Sequence, residues 1–156
     1  AMQPVVSVNY GAGKYARMNR AHHLAQIVAV IFSALSFSAC MLFPQQIIMF
    51  FTGDDAQMIQ ASVPALKLYF TSIIFTGINT MLMYYFQSIE KAVISTLISA
   101  LKGIVFLVLG LIILTPVLGV NGVWLTMTFA ESITMIFALV IKFISDKKFK
   151  LSKASL

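Results

Sequence analysis

Four apolar stretches, at residues 22–43, 64–87, 92–115 and 120–144, decide what this chain can fold into. A bilayer core is roughly 30 Å thick and a helix rises about 1.5 Å per residue, so about 20 mostly apolar residues make one crossing. Each stretch is long enough. A soluble fold of this size could not hide them: 60% of the residues are hydrophobic and 10% charged, whereas about a quarter are charged in ordinary soluble domains. Mean hydropathy is +0.93. Strands of a membrane barrel would be roughly ten residues long and would alternate in polarity, which these runs do not. The expected fold class is an all-α integral membrane protein with four transmembrane helices and a basic tail at 145–156.

Breakers separate the stretches. Residues 44–57 include Thr52-Gly53-Asp54-Asp55, residues 88–91 are polar, and residues 116–122 contain Pro116, Gly119 and Asn121-Gly122, so each is expected to be a connection. Charge then orients the crossings. Lys14, Arg17 and Arg20 precede the first helix, Lys91 lies in the second connection, and Lys142, Lys147, Lys148, Lys150 and Lys153 gather at the end of the fourth. Four crossings put these three groups on one side. The opposite connections hold Asp54 and Asp55 and no Lys or Arg. By the positive-inside rule the basic side is cytoplasmic, in the plasma membrane of the cell. The net charge of +6 is thereby a topological signal, and no nucleic-acid partner is expected.

Enzyme chemistry finds little support. Cys40 is the single cysteine and sits inside the first helix, so neither a disulfide nor a zinc cluster is indicated. His22 and His23 are adjacent and therefore point to different parts of a helix, which suits an interfacial structural role better than a paired ligand set. Gly11-Ala12-Gly13-Lys14 lacks the length of a phosphate-binding loop and the Ser or Thr after its Lys; its glycines are expected to end a helix and allow a turn. No secretory leader is read in the polar, basic first twenty residues. Residues 1–10 are too few to cross a membrane and are expected to complete a helix whose beginning is absent.

Polar residues inside the apolar runs are the candidate functional groups, because lipid cannot satisfy them. On the second helix Ser72, Thr76, Asn79, Thr80, Met83 and Gln87 recur at three- and four-residue spacing and form one stripe; on the fourth, Asn121, Thr128, Glu131 and Ser132 do likewise. Lys102 and Glu131 each lie about ten residues from a helix end, roughly 15 Å deep, on consecutive antiparallel helices. An unpaired charge there costs about 2.5–3.5 kcal/mol on insertion scales. They are expected to share one polar pocket, as an ion pair or with Glu131 protonated. The candidate transport or cavity residues are Glu131, Lys102, Asn79, Gln87 and Thr128. Lys67 lies nearer the external surface and can snorkel to it.

Several motifs resemble one membrane family. Gln3-Pro4-Val5-Val6-Ser7-Val8-Asn9-Tyr10-Gly11-Ala12-Gly13-Lys14-Tyr15 resembles the Q-P-x-x-S-x-N-Y-G-A-G-x-Y loop after the eighth helix of multidrug and toxin extrusion (MATE) transporters. Phe51-Thr52-Gly53-Asp54 resembles F-T-x-D, whose acid would favour the start of the next helix. Ala65-Leu66-Lys67-Leu68-Tyr69 resembles A-L-R-I-Y. Phe86-Gln87-Ser88-Ile89-Glu90-Lys91 resembles F-Q-A-I-G-K, and Leu118-Gly119-Val120-Asn121-Gly122-Val123-Trp124 resembles L-G-L-N-G-V-W. Glu131 stands where the family often has an acid in its last helix. The motifs follow in order along almost the whole chain.

The resemblance implies the ninth to twelfth helices of a twelve-helix antiporter built of two six-helix lobes, with the first lobe and the seventh and eighth helices as missing partners. It implies export of small cationic or amphipathic compounds in exchange for protons or sodium, with the lipid bilayer as surroundings and no cofactor beyond the coupling ion. This chain departs from the pattern at Lys102-Gly103, where the family often has R-Q, at Leu109 where a proline is common, at Glu90 in place of Gly, and at Pro64. The sodium-coupled branch carries a carboxylate within the tenth helix. Here that helix has none, which favours protons. Two other readings stand beside this one: a lipid-linked precursor flippase of related fold, and a nontransporting membrane-interaction protein in which Gly103 and Gly110 serve close helix approach and Lys102 with Glu131 only fixes pairing.

Overall fold

The computed structural model describes residues 2–154, with side chains described through residue 147; Lys148, Lys150 and Lys153 of the expected basic tail have side chains outside that set. The described residues are helical with short breaks. In chain order they form α1 (Met2–Gly11), α2 (Tyr15–Leu42), α3 (Pro44–Thr52), α4 (Ala56–Phe70), α5 (Ile73–Ser88), α6 (Ala92–Ala100), a π-helical segment (Leu101–Phe106), α7 (Leu107–Leu118) and α8 (Val120–Ala154). Among the described residues, three runs are long and apolar enough to cross a membrane: Tyr15–Leu42, Ala92–Leu118 and Val120–Lys147. The pair α4 and α5 passes the same test jointly, bent by 41°. Large side chains such as Phe32, Leu35, Val93, Ile104, Ile112 and Phe143 are exposed along these helices, which a bilayer accepts and water would not.

Each boundary has a local cause. The opening segment is a helix, as expected, and ends in a Schellman motif: Gly13 N–H donates to Tyr10 O and Lys14 N–H to Asn9 O, with Gly13 at φ +68°. The connection expected at 44–57 is mostly a helix. Pro44 stands in the first turn of α3, where its missing N–H costs nothing. Gly53 at φ +67° stops that helix. The acid that caps α4 is Asp55, not Asp54 as the F-T-x-D resemblance implied. Its Oδ1 accepts from the backbone N–H groups of Gln57 at 3.0 Å and Met58 at 3.1 Å.

The second crossing, expected as one span over 64–87, is broken at Thr71 and Ser72. Their hydroxyls donate to the carbonyls of Leu68 and Tyr69, at 2.6 and 2.7 Å, so the break leaves these groups satisfied without water. The expected third span carries the π-helical turn at its centre, and α8 runs on through the segment read as a tail.

Packing centres on α5, which touches α1, α2, α6 and α8. Val6, Met18, Leu82, Tyr85, Phe86, Ile89, Ile98 and Ala138 form the apolar core near one end of the bundle. The same end gathers the basic connections. The His22 ring lies 4.7 Å from that of Tyr85, the Tyr85 hydroxyl donates to Asp146 at 2.9 Å, and Lys91 donates to Ser145 at 2.6 Å. The start of α2, the α5–α6 turn and the later part of α8 are therefore neighbours.

Close helix approach is made at glycines, though not at both of those expected. A Cβ on Gly110 would sit 2.9 Å from Thr126 Cγ2 and 3.0 Å from Phe129 Cδ1. Gly103 has nothing within 4 Å and holds no neighbour close, which corrects the reading that paired it with Gly110. Gly77 against Ser33 and Gly122 against the Leu114 carbonyl are the tighter contacts.

Candidate functional site

A buried carboxylate organises the middle of the bundle. Glu131 of α8 is fully buried, as is Asn79 of α5. Their helices pack side by side, and the polar stripe of α5 faces that contact. Asn79 Nδ2 donates to Glu131 Oε2 at 2.6 Å and to the Glu131 backbone carbonyl at 2.9 Å. Thr76, one turn earlier, lies with its hydroxyl 2.9 Å from Glu131 Oε1. Lys102 reaches the same oxygen from the facing span, Nζ to Oε1 3.0 Å. Both carboxylate oxygens thus have donors, one of them charged.

The Lys102 position follows from the π-helical turn. Lys102 is the second residue of that segment, where the extra residue per turn shifts side-chain directions relative to a continuous α-helix. The lysine keeps 20% of its side chain exposed while Glu131 has none. The pair is therefore asymmetric: the acid is sealed in, and the lysine side chain is partly open to the surroundings. One polar atom of the cluster stays without a partner among the described residues. It is Asn79 Oδ1, buried beside the carboxylate.

Thr128 sits one turn before Glu131 on α8. Its hydroxyl meets that of Thr71 at the break in the second crossing, and since Thr71 donates to Leu68 O, Thr128 supplies the proton between them. Thr128 therefore ties the bend to α8, adjoining the Glu131 cluster. Gln87 lies elsewhere. It accepts from Gln3 Nε2 at 2.9 Å and donates to Ser95 at 3.2 Å, near the basic end. Of the five candidates, the structure brings Glu131, Lys102 and Asn79 into direct contact, sets Thr128 beside them, and leaves Gln87 apart. Asn121 is exposed at the start of α8 and does not continue the Glu131 stripe. Thr76, part of the α5 stripe, is the contact that the candidate set omitted; its three-residue spacing from Asn79 was the available signal.

Such a cluster can exchange a cation. A proton or metal cation at the carboxylate competes with Lys102 for its charge and weakens that pairing, and the unpartnered Asn79 oxygen adds a second hard oxygen ligand within the same cluster.

The MatE family model matches residues 1–113. Among solved structures, the inward-facing conformation of a multidrug resistance MATE family transporter of the MOP superfamily matches with a TM-score of 0.89 and 20% identity over 96% of this chain. The chain spans 35% of the length of that transporter. No curated protein matches.

Proposed function

This chain belongs to the MATE family of membrane transporters, and from that premise we propose that it forms most of the second lobe of an exporter of cationic or amphipathic compounds driven by protons or sodium. The four crossings are then the ninth to twelfth of twelve. The fold is that of a multi-pass membrane protein of this family. In the proposed orientation the basic end, with Lys14, Arg17, Arg20, Lys91 and Lys142, faces the cytoplasm, and Asp54, Asp55 and the Gly119 turn face outward. The first lobe and the seventh helix complete the cavity.

One observation carries the reading: a fully buried carboxylate at mid-span, held by Asn79, Thr76 and a lysine from the next crossing. In the proposed cycle the coupling cation binds Glu131 and displaces Lys102. Release of the lysine loosens the link between the π-helical span and α8, and the two lobes rock between facing states as in other repeat-built transporters. A proton suits Glu131 best, because α5 supplies an amide and a hydroxyl but no second carboxylate.

The test is transport by the full-length protein in vesicles under an imposed proton or sodium gradient. Glu131→Gln keeps the size of the side chain and removes its charge. Loss of gradient-driven export with substrate binding retained is the expected result. Unaltered coupled export in that variant overturns the assignment.

A further inference from the structure

A polar pocket of about 600 Å³ opens at the basic end of the bundle, between α1, the start of α2 and the turn after α5. Sites for one drug-sized molecule run from about 300 to 1,000 Å³. Gln3 Nε2 donates to Gln87 Oε1 at 2.9 Å, so the start of α1 meets the last turn of α5. The rest of α1 therefore runs on past that end and, with Tyr15, walls a space that faces the Glu90 turn.

Glu90 is the one charged residue among the described residues that line this pocket. It is exposed, and the ion pairs among the described residues, Lys102 with Glu131 and Lys142 with Asp146, lie elsewhere. Lys91, its chain neighbour, is turned to Ser145 of α8. The lining thus carries one negative charge and no positive one, at an end of the bundle that is otherwise basic. Tyr10 and Tyr15 share the lining, with rings 6.1 Å apart and inclined at 58°. Aromatic faces together with a carboxylate attract an organic cation. The backbone gives an independent reason. Glu90 stands at φ +61°, where glycine would cost less. Side chains held in that region cluster at ligand-binding sites.

We propose that this pocket binds an aromatic organic cation at the basic end of the bundle, with Glu90 facing the charge and Tyr10 and Tyr15 contacting the rings. The site is separate from the Glu131 cluster and collects the compound ahead of its passage between the lobes. The ligand class rests on the export reading; the pocket, its charge and its rings do not.

Ser7 is exposed on the same wall. Ser7→Cys is made in the full-length protein carrying no other reactive thiol, and labelling by N-ethylmaleimide is followed with tetraphenylphosphonium or with tetraphenylborate, which has the same shape and the opposite charge. Tetraphenylphosphonium is expected to slow labelling at position 7, and tetraphenylborate to leave it unchanged. Glu90→Gln is expected to raise the concentration for half protection about three- to fivefold, as for loss of one exposed charge pair. Glu90→Gly is expected to weaken protection equally while unfolding at a higher temperature, which separates binding from stability. Equal protection by both ions, or undiminished protection in both Glu90 variants, overturns the proposal. Because no gradient is applied, absence of protection refutes the pocket and leaves the Glu131→Gln transport test standing. Failure of that transport test with protection intact refutes the export reading and leaves the pocket.

Discussion

Glu90 sits at φ +61°, the one non-glycine with positive φ among the described residues. It closes α5 by a Schellman motif: Glu90 N–H donates to Gln87 O at 3.3 Å and Lys91 N–H to Phe86 O at 2.9 Å. The same motif ends α1, where Gly13 holds the equivalent place. Glycine is the usual residue there because it lacks the Cβ that clashes in the left-handed region. A left-handed residue other than glycine costs roughly 1–2 kcal/mol. Glu90→Gly removes that cost, but the glycine also loosens the unfolded chain and offsets about 0.4–1 kcal/mol. The net gain is therefore about 0.5–1 kcal/mol, or about 2 °C in unfolding temperature at this chain length. Glu90 is exposed, so little contact is lost with its side chain. Cys40, the chain's single cysteine, is buried in α2 and reports unfolding through thiol labelling on a temperature ramp. Glu90→Ala is the control, since alanine keeps the Cβ and should gain nothing. If Gly and Ala stabilise equally, the gain comes from removing the carboxylate, and the argument from backbone strain fails.

Two further outcomes are expected in the same labelling assay. Gly122→Ala places a Cβ against the Leu114 backbone carbonyl, which cannot swing aside, and should destabilise by about 1–3 kcal/mol; Gly103→Ala meets open space and should be neutral or stabilising, and a loss there as large as at Gly122 would refute the packing account. Asp55→Ala removes two bonds to the first turn of α4 and should cost about 1 kcal/mol, whereas Asp54→Ala should cost little; the reverse ranking would return the cap to Asp54.

Apolar run length made the membrane class and the four crossings legible, since that signal needs no tertiary information. Basic residue positions likewise anticipated that three connections share one end, and the His22–Tyr85 and Lys91–Ser145 contacts show that end assembled. Depth and helix order sufficed to bring Lys102 and Glu131 together as an expected pair, because two charges in lipid have few other ways to be satisfied. Where several arrangements satisfy the backbone equally well, the sequence was less decisive. Polar residues at 44–57 read as a loop, yet Pro44 and the apolar Ile47 to Phe51 suit a short helix just as well. The break at Thr71 and Ser72 depends on hydroxyls turning back to their own helix, which a polar-stripe reading cannot separate from hydroxyls reaching across. The π-helical turn has no local signature beyond the unencumbered Gly103.

The two polar regions of the bundle differ in a way that separates their roles. At Glu131, donors arrive from two other crossings and each carboxylate oxygen has a donor within the chain, so any cation that enters competes with the charge of Lys102. That is the property of a switch: occupancy changes which helices are tied together. The second region, around Tyr85, Asp146 and Lys142, ties α5 to α8 near the basic end. The proposed coupling ion should therefore change the conformation that the lobe favours.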